Sequence, residues 1–476
     1  MRPYTDHGAR RAGSFGRIAA LGGALALGLT ACSDLLEVED FEIVEEEILN
    51  DPGALGTIVA GALGDFQVGY SGGGLDDKFL SVTALITDEF HQADTFGTRR
   101  VTDKRDQFST EQGNTSDAAY FSLHRARRSL NLAAGSIQEF DAGDTETFAQ
   151  LKALEGFTYV ALAEGFCSGI PFSEAPPGSN VTELEGGVPI STSEAFAAAV
   201  GIFDEALAAD DESDLAAVGK GRALLNNGDF AGAAAAVANV PTDFVYLIEH
   251  SDNTDRQENA IFNLNSSNER YTVSDREGTN GLPFRSALDP RVPWSRSPSN
   301  DVGFDRETPL YNDLRYPDVG TDVPLASGIE ARLIEAEAAL DAGDAPEWLD
   351  ILNELREDVR LLMEINFEDY NSIFSNAFVE ANFGNASLAP LADPGTENTR
   401  VDLMFKERAF WLYTTGHRLG DLRRLIRQYG RSQDKVFPVG PFHKGGDYGD
   451  DVNFPIPFEE QNNENFDASQ CDVNKA

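Results

Sequence analysis

The chain has 476 residues, and its 80 acidic side chains against 37 basic ones give a formal net charge of −43. Such a surface repels nucleic acid, offers no basic patch to anionic lipid and suits neutral or cationic ligands, although solubility alone explains much of the excess. A content of 41% hydrophobic and 10% aromatic residues is enough for a sizeable core, so disorder is expected only at the ends.

At the N-terminus, Arg2, Arg10, Arg11 and Arg17 precede the apolar run Ile18 to Leu29. That run is too short to span a bilayer and has the length of a signal-peptide core. It closes on Leu29-Thr30-Ala31-Cys32, which resembles a bacterial lipoprotein box, the signal in which the cysteine is acylated and becomes the new N-terminus. Residues 1–31 are then a signal peptide, residues 32–476 the mature body, and Cys32 its attachment to a membrane outside the cytoplasm. The acidic stretch Ser33 to Glu47 is similar to a surface-export signal of Bacteroidetes-type lipoproteins and reads equally well as a solvated linker. No later stretch has the length of a membrane span; the alanine-rich run Ala231 to Val240 is short and stops at Pro241.

With Cys32 acylated, Cys167 and Cys471 remain, and an oxidising exterior favours a disulfide between them.

The body reads as mostly α. A first helix is expected near Pro52 to Leu63. From Glu194 to Leu207 the apolar positions Phe196, Ala199, Phe203 and Ala206 form one helical face, with Ser193 ahead of them as a cap. Further faces run Ile329, Leu333, Ala336, Leu340, and Leu422, Leu425, Ile426, Tyr429. Three turns share one pattern: Phe140 to Asp144, Leu225 to Asp229 and Leu340 to Asp344 each read apolar, two spacer residues, Gly, Asp. The glycine can end one helix in a left-handed conformation and the aspartate can cap the next. Paired helices joined this way are similar to tetratricopeptide hairpins of about 34 residues. Here they are spread along the chain, so insertions must separate them. The loop-rich insertions near 168–190, 249–323 and 364–398 are where function is expected.

Gly416-His417-Arg418 with Asp421 and Arg423 has the look of a catalytic cluster, but no serine or cysteine nucleophile motif and no second histidine at ligand spacing accompanies it. Arg418 and Asp421, three apart, are expected to pair on one helical face within a buried network that ties the last helix to the core. His91 with Asp88, Glu89 and Asp94 matches no helical histidine-pair metal motif and reads as a polar loop. Asp76-Asp77 and Asp447 to Asp451 lack the calcium-loop pattern, so no metal and no cofactor is expected.

Ligand contacts are sought among loop aromatics beside Asn, Asp and Arg, since flat rings stack on the C–H faces of sugars while planar polar groups bond their hydroxyls. The candidates are Tyr70, Phe96, Trp294, Tyr311 and Tyr316, with Trp294 in the longest insertion foremost.

Three segments together resemble the SusD/RagB family of outer-membrane nutrient-uptake lipoproteins. These are Ala153 to Tyr159 running on to Gly169-Ile170-Pro171-Phe172; Ala331 to Ala338; and Glu407-Arg408-Ala409-Phe410-Trp411 followed by Gly416 to Arg424, Phe454-Pro455-Ile456-Pro457 and Asn465-Phe466. The chain departs from the family pattern where Tyr413 to Thr415 replace an acidic residue and where Phe466 replaces a proline. The resemblance implies a helical protein with four tetratricopeptide-like hairpins, lidding a TonB-dependent (SusC-like) transporter and capturing glycans or peptides at the cell surface without catalysis. A helical-repeat scaffold for outer-membrane protein assembly and a secreted hydrolase are the alternatives.

Overall fold

The computed structural model describes residues 51–107, 113–173, 186–296, 302–367, 370–373, 382–383 and 387–476. Residues 1–31, read above as a signal peptide, Cys32 and the acidic segment to Glu47 lie outside the described residues, as do residues 174–185, 297–301 and parts of 364–398.

A short turn of helix at Pro52–Ala54 leads into α1 (Leu55–Tyr70), which continues past the expected end at Leu63. It is followed by α2 (Phe79–Ile86), α3 (Gly97–Asp103), α4 (Asp117–Phe140) and α5 (Thr145–Gly165). Next come α6 (Thr192–Ala209), α7 (Asp214–Asn226), α8 (Phe230–Val237), α9 (Gly328–Asp341), α10 (Ala345–Glu357), α11 (Val359–Asn366), α12 (Glu397–Trp411) and α13 (Arg418–Arg427). Each hairpin turn works through its aspartate: Asp144, Asp229 and Asp344 accept the N–H of Thr147, Gly232 and Glu347 at 3.1, 2.9 and 3.2 Å. These bonds satisfy donors that the first turn of a helix leaves unpaired. Gly228 and Gly343 adopt the left-handed conformation, at φ 85° and 79°. Gly143 does not; α4 ends at Phe140 and its cap Asp141 has φ −148° and ψ 58°. The cap of α6 is Ser191 rather than Ser193, in a reciprocal pair of bonds with Glu194.

The helices stack in chain order, α4 on α5, α5 on α6 and so on to α9 and α10, with α1 against α4. Each amphipathic pair thereby covers a face it cannot bury alone. One contact shows how closely they fit. Phe203 of α6, on the expected apolar face, projects between Gly156 of α5 and Gly219 of α7, where added β-carbons would lie 2.8 and 2.2 Å from its ring. The architecture is mostly helical and tetratricopeptide-like, interrupted by loop insertions.

Ion pairs tie α13 to the core, in a different pattern from the one expected. Arg418 pairs with Asp88, not Asp421, its Nε and Nη2 donating to Asp88 at 2.7 and 3.0 Å. Asp421 instead accepts from Arg408 of α12 at 2.8 Å and from Arg424 at 2.7 Å, so the three-residue helical spacing serves Asp421–Arg424. Arg423 Nη1 donates to the carbonyls of Ala163, Glu164 and Phe166, closing the C-terminal end of α5. Just beyond that end Cys167 is joined to Cys471 by a disulfide, with Cα atoms 5.0 Å apart.

The insertions carry short antiparallel strand pairs: β1 (Phe90–Gln92) with β5 (Tyr271–Val273), β2 (Ile170–Pro171) with β3 (Pro189–Ile190), β4 (Val245–Ile248) with β8 (Val323–Ser327), and β6 (Trp294–Arg296) with β7 (Tyr311–Asp313). Thr272 of β5 links two pairs: its Oγ1 accepts the N–H of Tyr311 at 2.8 Å and donates to the Pro309 carbonyl at 3.0 Å. No described helix is long and apolar enough to cross a membrane.

Candidate functional site

A cavity of about 640 Å³ opens where β1, β7 and a late glycine-rich turn converge. Strand alternation makes the first wall. Phe90 is buried in the core, His91 faces the cavity, and Gln92, itself buried, also reaches the lining.

The second wall comes from the far end of the chain. Gly440, Gly445 and Gly446 all have positive φ, and this freedom lets the segment fold back on itself and present His443 and Lys444. The His91 and His443 rings lie 4.5 Å apart. Burial and the neighbouring His443 hold His91 well below the usual histidine range, so it is neutral at physiological pH. His443 Nε2 sits 2.9 Å from Asp103 Oδ2, which also accepts the Gln92 N–H at 2.8 Å. Lys444 donates to the Asp94 carbonyl at 2.7 Å and pairs with Asp305. Asp305 is itself the hub of a tight turn, accepting the N–H groups of Glu307 and Thr308 at 2.9 Å each. Burial would raise its carboxyl, but the bonds from Lys444 and Thr308 bring it down to about 2.

The third wall is Tyr311, over whose ring the Arg285 guanidinium lies at 3.7 Å from the centroid. Two exposed rings stand beside the lining in sequence. Phe96 follows Thr95 and is 51% exposed; Phe304 precedes Asp305 and is 46% exposed. Arg270 lies between them, 3.5 Å from the Phe304 centroid and 5.5 Å from that of Phe96.

The structure separates the sequence candidates. Tyr311 lines the cavity; Phe96 is not among its lining residues but is the exposed neighbour of the lining residue Thr95. Trp294 is not among the described lining residues; it buttresses Tyr311 edge-on at 5.3 Å and donates its Nε1 to the Arg285 carbonyl at 3.1 Å. Tyr70 and Tyr316 are corrected to core residues, since each is buried and spends its hydroxyl on a backbone carbonyl, that of Thr415 and of Thr414, both at 2.9 Å. Neither can offer a face to a ligand. Of the polar run near residue 90, only His91, Gln92 and Asp94 reach the cavity. Asp88 holds Arg418, and Glu89 is buried against the Thr414 N–H, burial pushing its carboxyl up to about 8.

Sequence reasoning missed Arg285, Asp305, His443, Lys444 and Phe304, which have no motif in common. The glycine cluster around His443 was the one usable signal, since it marks a turn that must place its side chains somewhere specific. Among the described residues no group of three His, Cys, Asp or Glu side chains is placed to hold a metal ion. The site is a polar cavity with an aromatic wall, chemistry that suits a polyhydroxylated ligand.

No family model matches the sequence, and no curated protein does. Solved structures do resemble it. A SusD superfamily protein from Bacteroides thetaiotaomicron aligns with a TM-score of 0.60 at 14% identity, over 89% of this chain and 99% of its own. A SusD/RagB family protein from the same organism gives 0.58 at 13% identity, over 89% and 95%. A SusD-like carbohydrate binding protein from Bacteroides vulgatus gives 0.53 at 16% identity, over 78% and 83%. The helical stack, the placement of the insertions and these alignments agree that the chain has the SusD-like fold.

Proposed function

We propose that this protein is a lipid-anchored component of a bacterial outer membrane that binds oligosaccharide in the 640 Å³ cavity and hands it to a TonB-dependent, SusC-like transporter. It acts by binding, not catalysis. The observation that carries this reading is the composition of the cavity wall: an aromatic ring, stacked with a guanidinium and surrounded by fixed hydrogen-bonding groups, at the junction of the insertions rather than on the repeat surface. One neighbour of the same fold is a carbohydrate binding protein. Anchoring through Cys32 and exposure at the cell surface rest on the N-terminal signals alone.

Calorimetric titration of the mature body against a panel of oligosaccharides tests it. Binding of at least one saccharide is expected, with affinity falling about tenfold or more in Tyr311→Ala, which removes the wall and the support of Arg285. Unchanged affinity in Tyr311→Ala would place the ligand elsewhere.

A further inference from the structure

The cavity lining does not share the acidic excess of the chain: Arg100, Arg285 and Lys444 balance Asp94, Asp305 and Glu307. Acids outnumber bases by 80 to 37, and buried arginines generally sit on carboxylates, as Arg222 does on Glu330, Arg291 on Glu407 and Arg418 on Asp88. Arg285 does not. It lines the cavity half-buried, stacked on Tyr311, and its side chain meets no carboxylate among the described residues. Its Nε is shut off from solvent without an acceptor.

The other charges of the lining are already matched or exposed. Lys444 is held by Asp305, His443 lies on Asp103, and Asp94 accepts from Arg99 at 2.6 Å. Arg100 is exposed and donates to the Lys444 carbonyl at 3.0 Å. Glu307, the carboxylate of the lining without a cation, is exposed. An arginine partly withdrawn from water with no counter-charge is costly in a chain so rich in carboxylates, and its planar fork matches a carboxylate through two parallel bonds. The long-range repulsion from the net charge of −43 is screened beyond about 8 Å at physiological salt, so contact chemistry decides at the wall.

We infer that the cavity takes an acidic oligosaccharide, with a sugar carboxylate seated on the Arg285 guanidinium where it stacks on Tyr311. The sequence-wide charge, which favours neutral or cationic ligands, is overridden locally. The inference rests on the saccharide reading above and narrows it to sugars that carry a carboxylate.

The test is titration with oligogalacturonate, oligomannuronate and a sialylated oligosaccharide, each as the free acid and as its methyl ester. At least one acid is expected to bind, its ester about tenfold or more weaker. Arg285→Met, which keeps the stem on Tyr311, is expected to weaken the acid by a similar factor and leave the ester unchanged, with Arg285→Lys in between. Because the ester comparison uses the unaltered protein, a misfolded variant cannot decide the matter. Equal binding of acid and ester, or full acid binding by a folded Arg285→Met, would overturn the inference. Binding of neutral glycans alone, lost in Tyr311→Ala, would overturn it and leave the saccharide reading standing. No binding of any saccharide would remove both.

Discussion

A Glu330→Ala protein is expected to be less stable than the parent by about 3–5 kcal/mol at neutral pH, the usual effect of stranding one half of a buried ion pair. Glu330 opens α9, its backbone N–H capped by Ser327, and its carboxylate receives Arg222 Nε and Nη2 at 2.6 Å each. The two side chains are 1% and 2% exposed. Arg222 also donates to the Leu325 carbonyl at 2.6 Å, and His417 Nε2 lies 3.1 Å from the same carboxylate. The pair therefore fastens α7 to α9 and both to the turn before α13. Denaturant unfolding should show a lower midpoint at unchanged slope. Replacing both partners with apolar residues, Arg222→Met with Glu330→Leu, should recover most of the loss, because no charge is then left buried. The sign of the pH dependence follows from linkage. Burial raises Glu330, yet Arg222 and His417 bring it down to about 2, below its unfolded value of roughly 4.3. The contribution is complete above the unfolded value and is lost as pH falls through the folded one. Parent and Glu330→Ala should therefore converge between about pH 4 and 2, and not at alkaline pH. A gap that stays constant down to pH 2 would contradict this assignment.

Cys471→Ser, or reduction of the bond, is expected to cost about 2–4 kcal/mol. The disulfide closes a loop of 304 positions, linking the end of α5 to the last residues of the chain. The tail has other attachments, including Val452 N–H to the Val473 carbonyl at 2.8 Å and Asn453 Nδ2 to the Lys475 carbonyl at 2.7 Å, so it stays docked when the bond is cut. The effect should then appear as earlier global unfolding and faster amide exchange at the tail. Identical melting with and without reductant, once mass analysis shows the bond broken, would contradict it.

Local rules made much of the scaffold legible. The repeated Gly-Asp turns capped helices at Asp144, Asp229 and Asp344, and the apolar positions from Phe196 to Ala206 and from Ile329 to Leu340 are buried. These features depend on contacts within a few residues. What was illegible depends on distance along the chain. Arg418 shares a helical face with Asp421, but the partner it takes, Asp88, lies 330 residues earlier. Lys444 reaches the Asp94 carbonyl across 350 residues. Trp294 had the right residue type in the right insertion, but its register on β6 puts it behind Tyr311 rather than in front. Tyr70 and Tyr316 show the limit of reading aromatics from loops and helix ends: hydroxyl acceptors in the Thr414–Thr415 turn draw both into the core.

Amide hydrogen exchange on the mature body, with and without the saccharide that titration identifies, tests the central claim most directly. Protection is expected at residues 90–96, 303–313 and 440–446, the segments that converge on the cavity. Protection confined to the repeat helices from α4 to α8, with those segments unchanged, would contradict the cavity as the binding site and favour a scaffold that works through its helical surface.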